Sequence, residues 1–114
     1  MQTTLFILSN PFKDEKISDE DFFCWQCLLL EGVVAKFPEK LKGLVIERVE
    51  FPRPRQSVIS LVGPDNQSLP TLVLGDDVLV GHETGVFDET RFVKGKDDIL
   101  NALTEVYNIP RVHP

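Results

Sequence analysis

The chain has 114 residues, 42% apolar and 26% charged, which suits one globular domain rather than two. A net charge of −6 and apolar runs only a few residues long argue against a nucleic acid or a bilayer as partner. Two cysteines cannot build a disulfide framework.

Residues 3–9 (TTLFILS) are β-prone and read as a first strand. The start has no basic region and no small-residue cleavage site, so it is not a secretory signal, and the expected compartment is the cytoplasm. Residues 10–21 (NPFKDEKISDED) are polar and read as a surface loop. Residues 22–37 read as a helix, because Leu29, Leu30, Val33, Val34 and Phe37 fall on one face. Asp21 is the expected cap, Phe22 and Phe23 are assigned to the core, and Pro38 ends the helix. LVIERVEF, residues 44–51, is a strand stopped by Pro52.

Pro54 suits the first turn of a short helix with the body RQSVISLV, in which Val58, Ile59 and Val62 share a face. Arg53 and Arg55 at its start read as a solvated loop, with a bound anion as the sharper alternative. TLVL, residues 71–74, is a strand, Gly75-Asp76-Asp77 a tight turn, and VLV, residues 78–80, its hairpin partner. Residues 81–95 read as loop with short helical turns. Asp97 and Asp98 open a last helix with Ile99, Leu100, Leu103, Val106 and Tyr107 as its apolar stripe. The element order is β-α-β-α-β-β-α. The expected fold is a single α/β domain over residues 1–114, a four-stranded mixed sheet flanked by about three helices.

Both cysteines lie in Cys24-Trp25-Gln26-Cys27, at the start of the first helix. Three-residue spacing sets two side chains on one helix face about 5–6 Å apart, and a tightened first turn brings them within disulfide reach. A bridge there closes a tiny loop and restrains the unfolded chain very little, so redox chemistry is its expected purpose. The unpaired N–H groups at a helix start favour an anion, and the cysteine nearer the start gains most. Position therefore assigns Cys24 as the attacking thiolate and Cys27, one turn deeper, as the resolving thiol.

With Ser68-Leu69-Pro70-Thr71 leading into a strand, this arrangement resembles the thioredoxin-like superfamily over nearly the whole chain. The run from CWQCLLLEGVVAKFP to NQSLPTLVL is similar to an uncharacterised bacterial thioredoxin-like family, a domain of unknown function. The superfamily resemblance implies a cis bond before Pro70, with Leu69 pairing with the substrate chain beside the cysteines. It implies thiol–disulfide oxidoreductase activity on a protein or a low-molecular-weight thiol or disulfide. The same resemblance implies that Glu83-Thr84, as a motif at a helix start, binds the γ-glutamyl end of glutathione; a capping loop is the plainer reading. The dipeptide Trp-Gln departs from the Gly-Pro of thioredoxins and the Pro-Tyr common in glutaredoxins, and that pair tunes the potential. The stretch before the cysteines is longer than usual, and the second helix is short.

Trp25 is a candidate apolar contact for a partner, and Ser68, with Leu69 and Pro70, a candidate substrate-binding element. Gln67 and Ser68 are also simple turn residues. A zinc site would have to recruit His82 and His113, the only histidines, and His113 is one residue from the end. No metal and no bound organic cofactor is expected. The different-class alternative to the enzyme is a non-catalytic binding or assembly module that uses the groove beside Pro70.

Overall fold

β1 (Thr4–Leu8) is buried along its whole length, which is why its sequence is a continuous apolar run rather than an alternating one. In the computed structural model, which describes residues 1–78 and 81–114, it pairs on both sides. β4 (Val45–Val49) lies parallel to it, and β5 (Thr71–Leu74), also fully buried, lies antiparallel. β7 (Thr90–Lys94) continues antiparallel from β5, and β6 (Gly85–Phe87) closes the edge. The sheet is thus mixed and five-stranded, in the order β4-β1-β5-β7-β6.

Alternate residues of the central strands feed two cores. Leu5, Ile7, Leu72 and Val93 pack with Cys27 and Leu30 of α1 (Trp25–Lys36) and with Ile99 and Leu103 of α3 (Lys96–Tyr107). Phe6, Val73 and Phe92 point the other way, onto Val58 and Val62 of α2 (Gln56–Val62). α3 begins with Asp97 and Asp98 in its first turn and ends at Asn108 in the left-handed conformation.

The expected four strands are corrected to five. β6 and β7 come from the region read as loop. Their turn uses Asp88 and Glu89 at φ 44° and 69°, the geometry of a two-residue hairpin turn, without the Gly or Asn that normally announces it. The neighbours of β5 in the sheet are β1 and β7, where residues 78–80 are the expected hairpin partner. Val78 is a buried bend residue whose N–H donates to Gly75 O at 3.2 Å, and residues 79 and 80 lie outside the described residues.

The stretch 10–21 is not wholly loop either. β2 (Phe12–Lys13) and β3 (Asp21–Phe22) pair antiparallel, Phe12 opposite Phe22. That hairpin takes up Phe22, so α1 starts at Trp25 rather than at residue 22, and Phe23 is left 62% exposed instead of joining the core. Phe12 stacks on Phe51, ring centroids 4.5 Å apart, and pins the hairpin to the chain leaving β4.

Candidate functional site

The site is built where β1 ends. Leu8 is the last residue of β1, and Asn10 follows it by two. Asn10 Nδ2 donates to Leu8 O at 3.0 Å, and its Oδ1 accepts the Cys24 N–H at 2.8 Å. The amide side chain therefore ties the head of α1 to the end of the strand. Cys24 is the N-cap of α1, with extended φ and ψ, and its sulfur accepts the Cys27 N–H at 3.2 Å. The expected cap, Asp21, is instead paired with Lys13 across the β2–β3 hairpin.

Cys27 lies in the first turn, fully buried, and its Sγ accepts the Leu8 N–H at 3.4 Å. Burial and the hydrogen bond with Cys24 push its thiol up to about 12 from an ordinary 9.0. The Leu8 N–H and the Arg55 charge pull the other way, less strongly. Cys24 is half-buried, both cysteines are free, and the two sulfurs lie 2.6 Å apart. The two sulfurs are close enough to be joined to each other. The structure thus gives the two thiols different surroundings, one reachable and one sealed.

The remaining expected site residues gather unevenly. Leu69 packs against the same buried cluster that holds Cys27, and the Leu69–Pro70 bond is cis, as are Asn10–Pro11 and Arg53–Pro54. Ser68 O accepts from Lys94 Nζ at 2.6 Å and from Thr71 Oγ1 at 2.9 Å. Trp25 is 58% exposed, and Lys96 Nζ, at the start of α3, sits 5.4 Å from its ring centre. Glu83 and Thr84 lead into β6 and do not head a helix. Glu83 Oε2 accepts the Gly81 N–H at 2.7 Å, and Thr84 Oγ1 accepts the Lys94 N–H at 2.9 Å. His82 is drawn to Glu105, 3.1 Å away, and no group of three or more metal-ligating side chains occurs among the described residues.

Sequence reasoning missed the cations. Arg55, read as solvated, is only 5% exposed. Its Nε and one terminal nitrogen donate to Phe51 O at 3.0 and 2.6 Å, and the other terminal nitrogen donates to Gln67 O at 2.9 Å. Its backbone N–H donates to Gln67 Oε1 at 2.9 Å. Burial and the Arg53 charge lower Arg55, while the nearby sulfurs of Cys27 and Cys24 raise it. Lys94 falls to about 8, chiefly through burial and then through the charges of Arg53 and Arg55. A groove of about 740 Å³, walled by residues 11–16 and 50–53, also has Arg55 in its wall. The only sequence signal is Arg53-Pro54-Arg55 beside a helix start, and it reads more readily as a solvated loop.

These features define a class: an α/β protein with a Cys-x-x-Cys pair at the head of the helix that follows the first strand of its sheet. Residues 2–111 match the model of a family described as a protein of unknown function, DUF3088, and the chain belongs to that family. No curated protein and no solved structure matched it. Among the described residues no helix is long and apolar enough to cross a membrane.

Proposed function

We propose that this protein is a thioredoxin-like thiol–disulfide oxidoreductase of the cytoplasm. The observation that carries the reading is the asymmetric sulfur pair: Cys24 half-exposed at the tip of α1, Cys27 buried behind it with its proton held. The parallel β1–β4 pair, joined through α1, and the antiparallel run from β1 through β5 to β7 support the fold assignment.

The Cys24 thiolate attacks one sulfur of the substrate disulfide and forms a mixed disulfide. The other substrate sulfur leaves as a thiolate and takes a proton. Cys27 then gives up its proton, attacks the Cys24 sulfur and expels the second substrate thiol. The substrate gains two electrons and two protons, and the protein is left with a Cys24–Cys27 bond. A second dithiol or monothiol reductant restores it. On this reading Trp25, Ser68, Leu69 and Pro70 line the approach, and glutathione is a candidate thiol substrate.

The second reading, a non-catalytic binding module, is favoured by one feature. Phe23, Trp25, Leu28 and Leu29 are all exposed around the cysteines, an apolar surface suited to a protein partner.

Reduction of insulin and of hydroxyethyl disulfide, driven by a thiol reductant, tests the first reading. Turnover that disappears in Cys24→Ser, with Cys24 alkylated at neutral pH well before Cys27, is the expected result. No turnover on either substrate, together with equal and slow alkylation of both cysteines, would leave the binding module.

A further inference from the structure

α1 is apolar on both of its sides. Cys27 and Leu30 are buried, and Val33 and Val34 pack against the same core. The side turned to water carries Trp25, Leu28, Leu29 and Gly32, at the spacing of one helix face. Leu28 is 42% exposed and Leu29 40%, and Trp25 is 58% exposed even with Lys96 Nζ 5.4 Å from its ring centre. Phe23, just ahead of them, is 62% exposed. No charged residue interrupts the face until Lys36 in the last turn. A helix that is apolar all round is one that is covered all round. Gly32 adds an independent observation. A Cβ built there meets nothing within 4 Å among the described residues, so no contact within the chain explains a residue that weakens a helix interior.

We propose that α1 pairs with α1 of a second copy of this chain, antiparallel, about a two-fold axis that passes between Leu28 and Leu29. In this register the stripe complements itself. Trp25 and Gly32 lie equally far from the axis, near the midline of the face, so the indole of each copy stands over the gap at Gly32 of the other. Leu28 meets Leu28 and Leu29 meets Leu29 across the axis, one pair on each side of that line. Lys36, the one charge on the stripe, comes to the start of the partner's helix, where the acidic run Asp19-Glu20-Asp21 leads in. A partner of another sequence would account for the exposed leucines and leave the matching of one large side chain to one absent side chain unexplained. The exposed parts of Phe23, Trp25, Leu28 and Leu29 come to roughly 400 Å² per copy, about half of a standard interface. The association is therefore reversible. It does not rest on the redox reading; on that reading, the monomer is the form in which Trp25 is open to a substrate.

The test is sedimentation equilibrium of the full chain from about 1 µM to about 1 mM, kept reduced so that no disulfide joins two copies. The mass is expected to rise from the 12.9 kDa of one chain toward twice that, with a midpoint on the order of 10–100 µM. Trp25 is the only tryptophan, so its emission should move to the blue over the same range as the indole leaves water. Leu28→Glu sets two carboxylates against each other across the axis and should weaken the association about tenfold or more. Gly32→Leu is the sharper variant. It makes the face more apolar but fills the gap, so it should weaken the association by a similar factor, while the urea midpoint of the dilute monomer holds or rises. An association that Gly32→Leu leaves unchanged or strengthens overturns the proposal, because the contact would then be unspecific. A chain that stays monomeric up to about 1 mM overturns it as well. So does a mass that doubles with no change in Trp25 emission, which would place the contact on another face. None of these readouts involves thiol chemistry, so a failure of the reductase assay is separate from a failure here.

Discussion

At the end of the sheet where β1 begins, most polar groups answer one another, with the buried Arg91 Nη1 left without a hydrogen-bond partner among the described residues. Asp77 Oδ1 accepts the Thr3 N–H and hydroxyl at 3.2 and 3.0 Å, and Thr3 Oγ1 in turn accepts the Gly75 N–H at 3.0 Å. One terminal nitrogen of Arg91 donates to the carbonyls of Gly75 and Val78 at 3.0 and 2.6 Å. At the end where β1 stops, Arg55 is buried without a counter-ion, Lys94 is half-buried near it, and two thiols share one helix turn. The first end ties the terminus to a turn. The second holds two free thiols, and what sets it apart is reactivity rather than the lack of a counter-ion, since Arg91 at the first end joins no ion pair among the described residues either. Sites that hold such groups are where a ligand or a reaction is expected to complete the electrostatics.

The largest effect on stability should come from the first end. A Cβ on Gly75 would run into the Met1 carbonyl oxygen and lie 2.7 Å from both Asp77 Oδ1 and the Gln2 carbonyl carbon. Two of those atoms are backbone, so the terminal segment must move. Gly75→Ala is expected to cost about 1–3 kcal/mol, read as a lowered urea midpoint. Its Cys24 alkylation rate should match the unaltered protein. An altered rate would mean that the two ends are coupled through β1 and β5, and the contrast between them would fall.

Asn10→Ala probes the second end. It removes the acceptor of the Cys24 N–H and the donor to Leu8 O. The expected loss is about 1 kcal/mol, within the range for a helix cap, together with slower Cys24 alkylation because the cap no longer holds its sulfur on the Cys27 N–H. A stability loss with no change in thiol reactivity would make Asn10 a structural residue alone.

The contrast between the ends also explains what could be read from the sequence. The cysteine pair was legible because its chemistry needs two residues three apart, a local requirement. The three helices and the strands at Thr4–Leu8, Val45–Val49 and Thr71–Leu74 announced themselves through apolar runs and prolines. β6 did not, because its three residues are largely exposed and its turn is Asp-Glu. Arg55 did not, because its burial depends on carbonyls at Phe51 and at Gln67, twelve residues away, and on a groove wall that only the folded chain assembles. An arginine between proline and glutamine gives no local sign of that. The cap was misassigned for a related reason: Asp21 suits a cap by type, but the β2–β3 hairpin had already engaged it.

The smallest effect is expected at an arginine that contrasts with Arg55 in every respect. Arg48, on β4, is half-exposed and grips Glu31 of α1 with two nitrogens, at 2.8 and 2.5 Å. The Arg48 hydrogen bond is the main cause that holds the Glu31 carboxyl below its ordinary 4.5. A carboxyl lowered in the folded state contributes stability above its ordinary value, and loses it as pH falls through the folded value. Glu31→Gln should therefore cost about 0.2–1 kcal/mol at pH 7, less in high salt, and the difference from the unaltered protein should close on acidification below pH 4.5. Paired urea titrations at the two pH values measure it. A cost that persists in acid would mean that Glu31 acts through packing and not through charge.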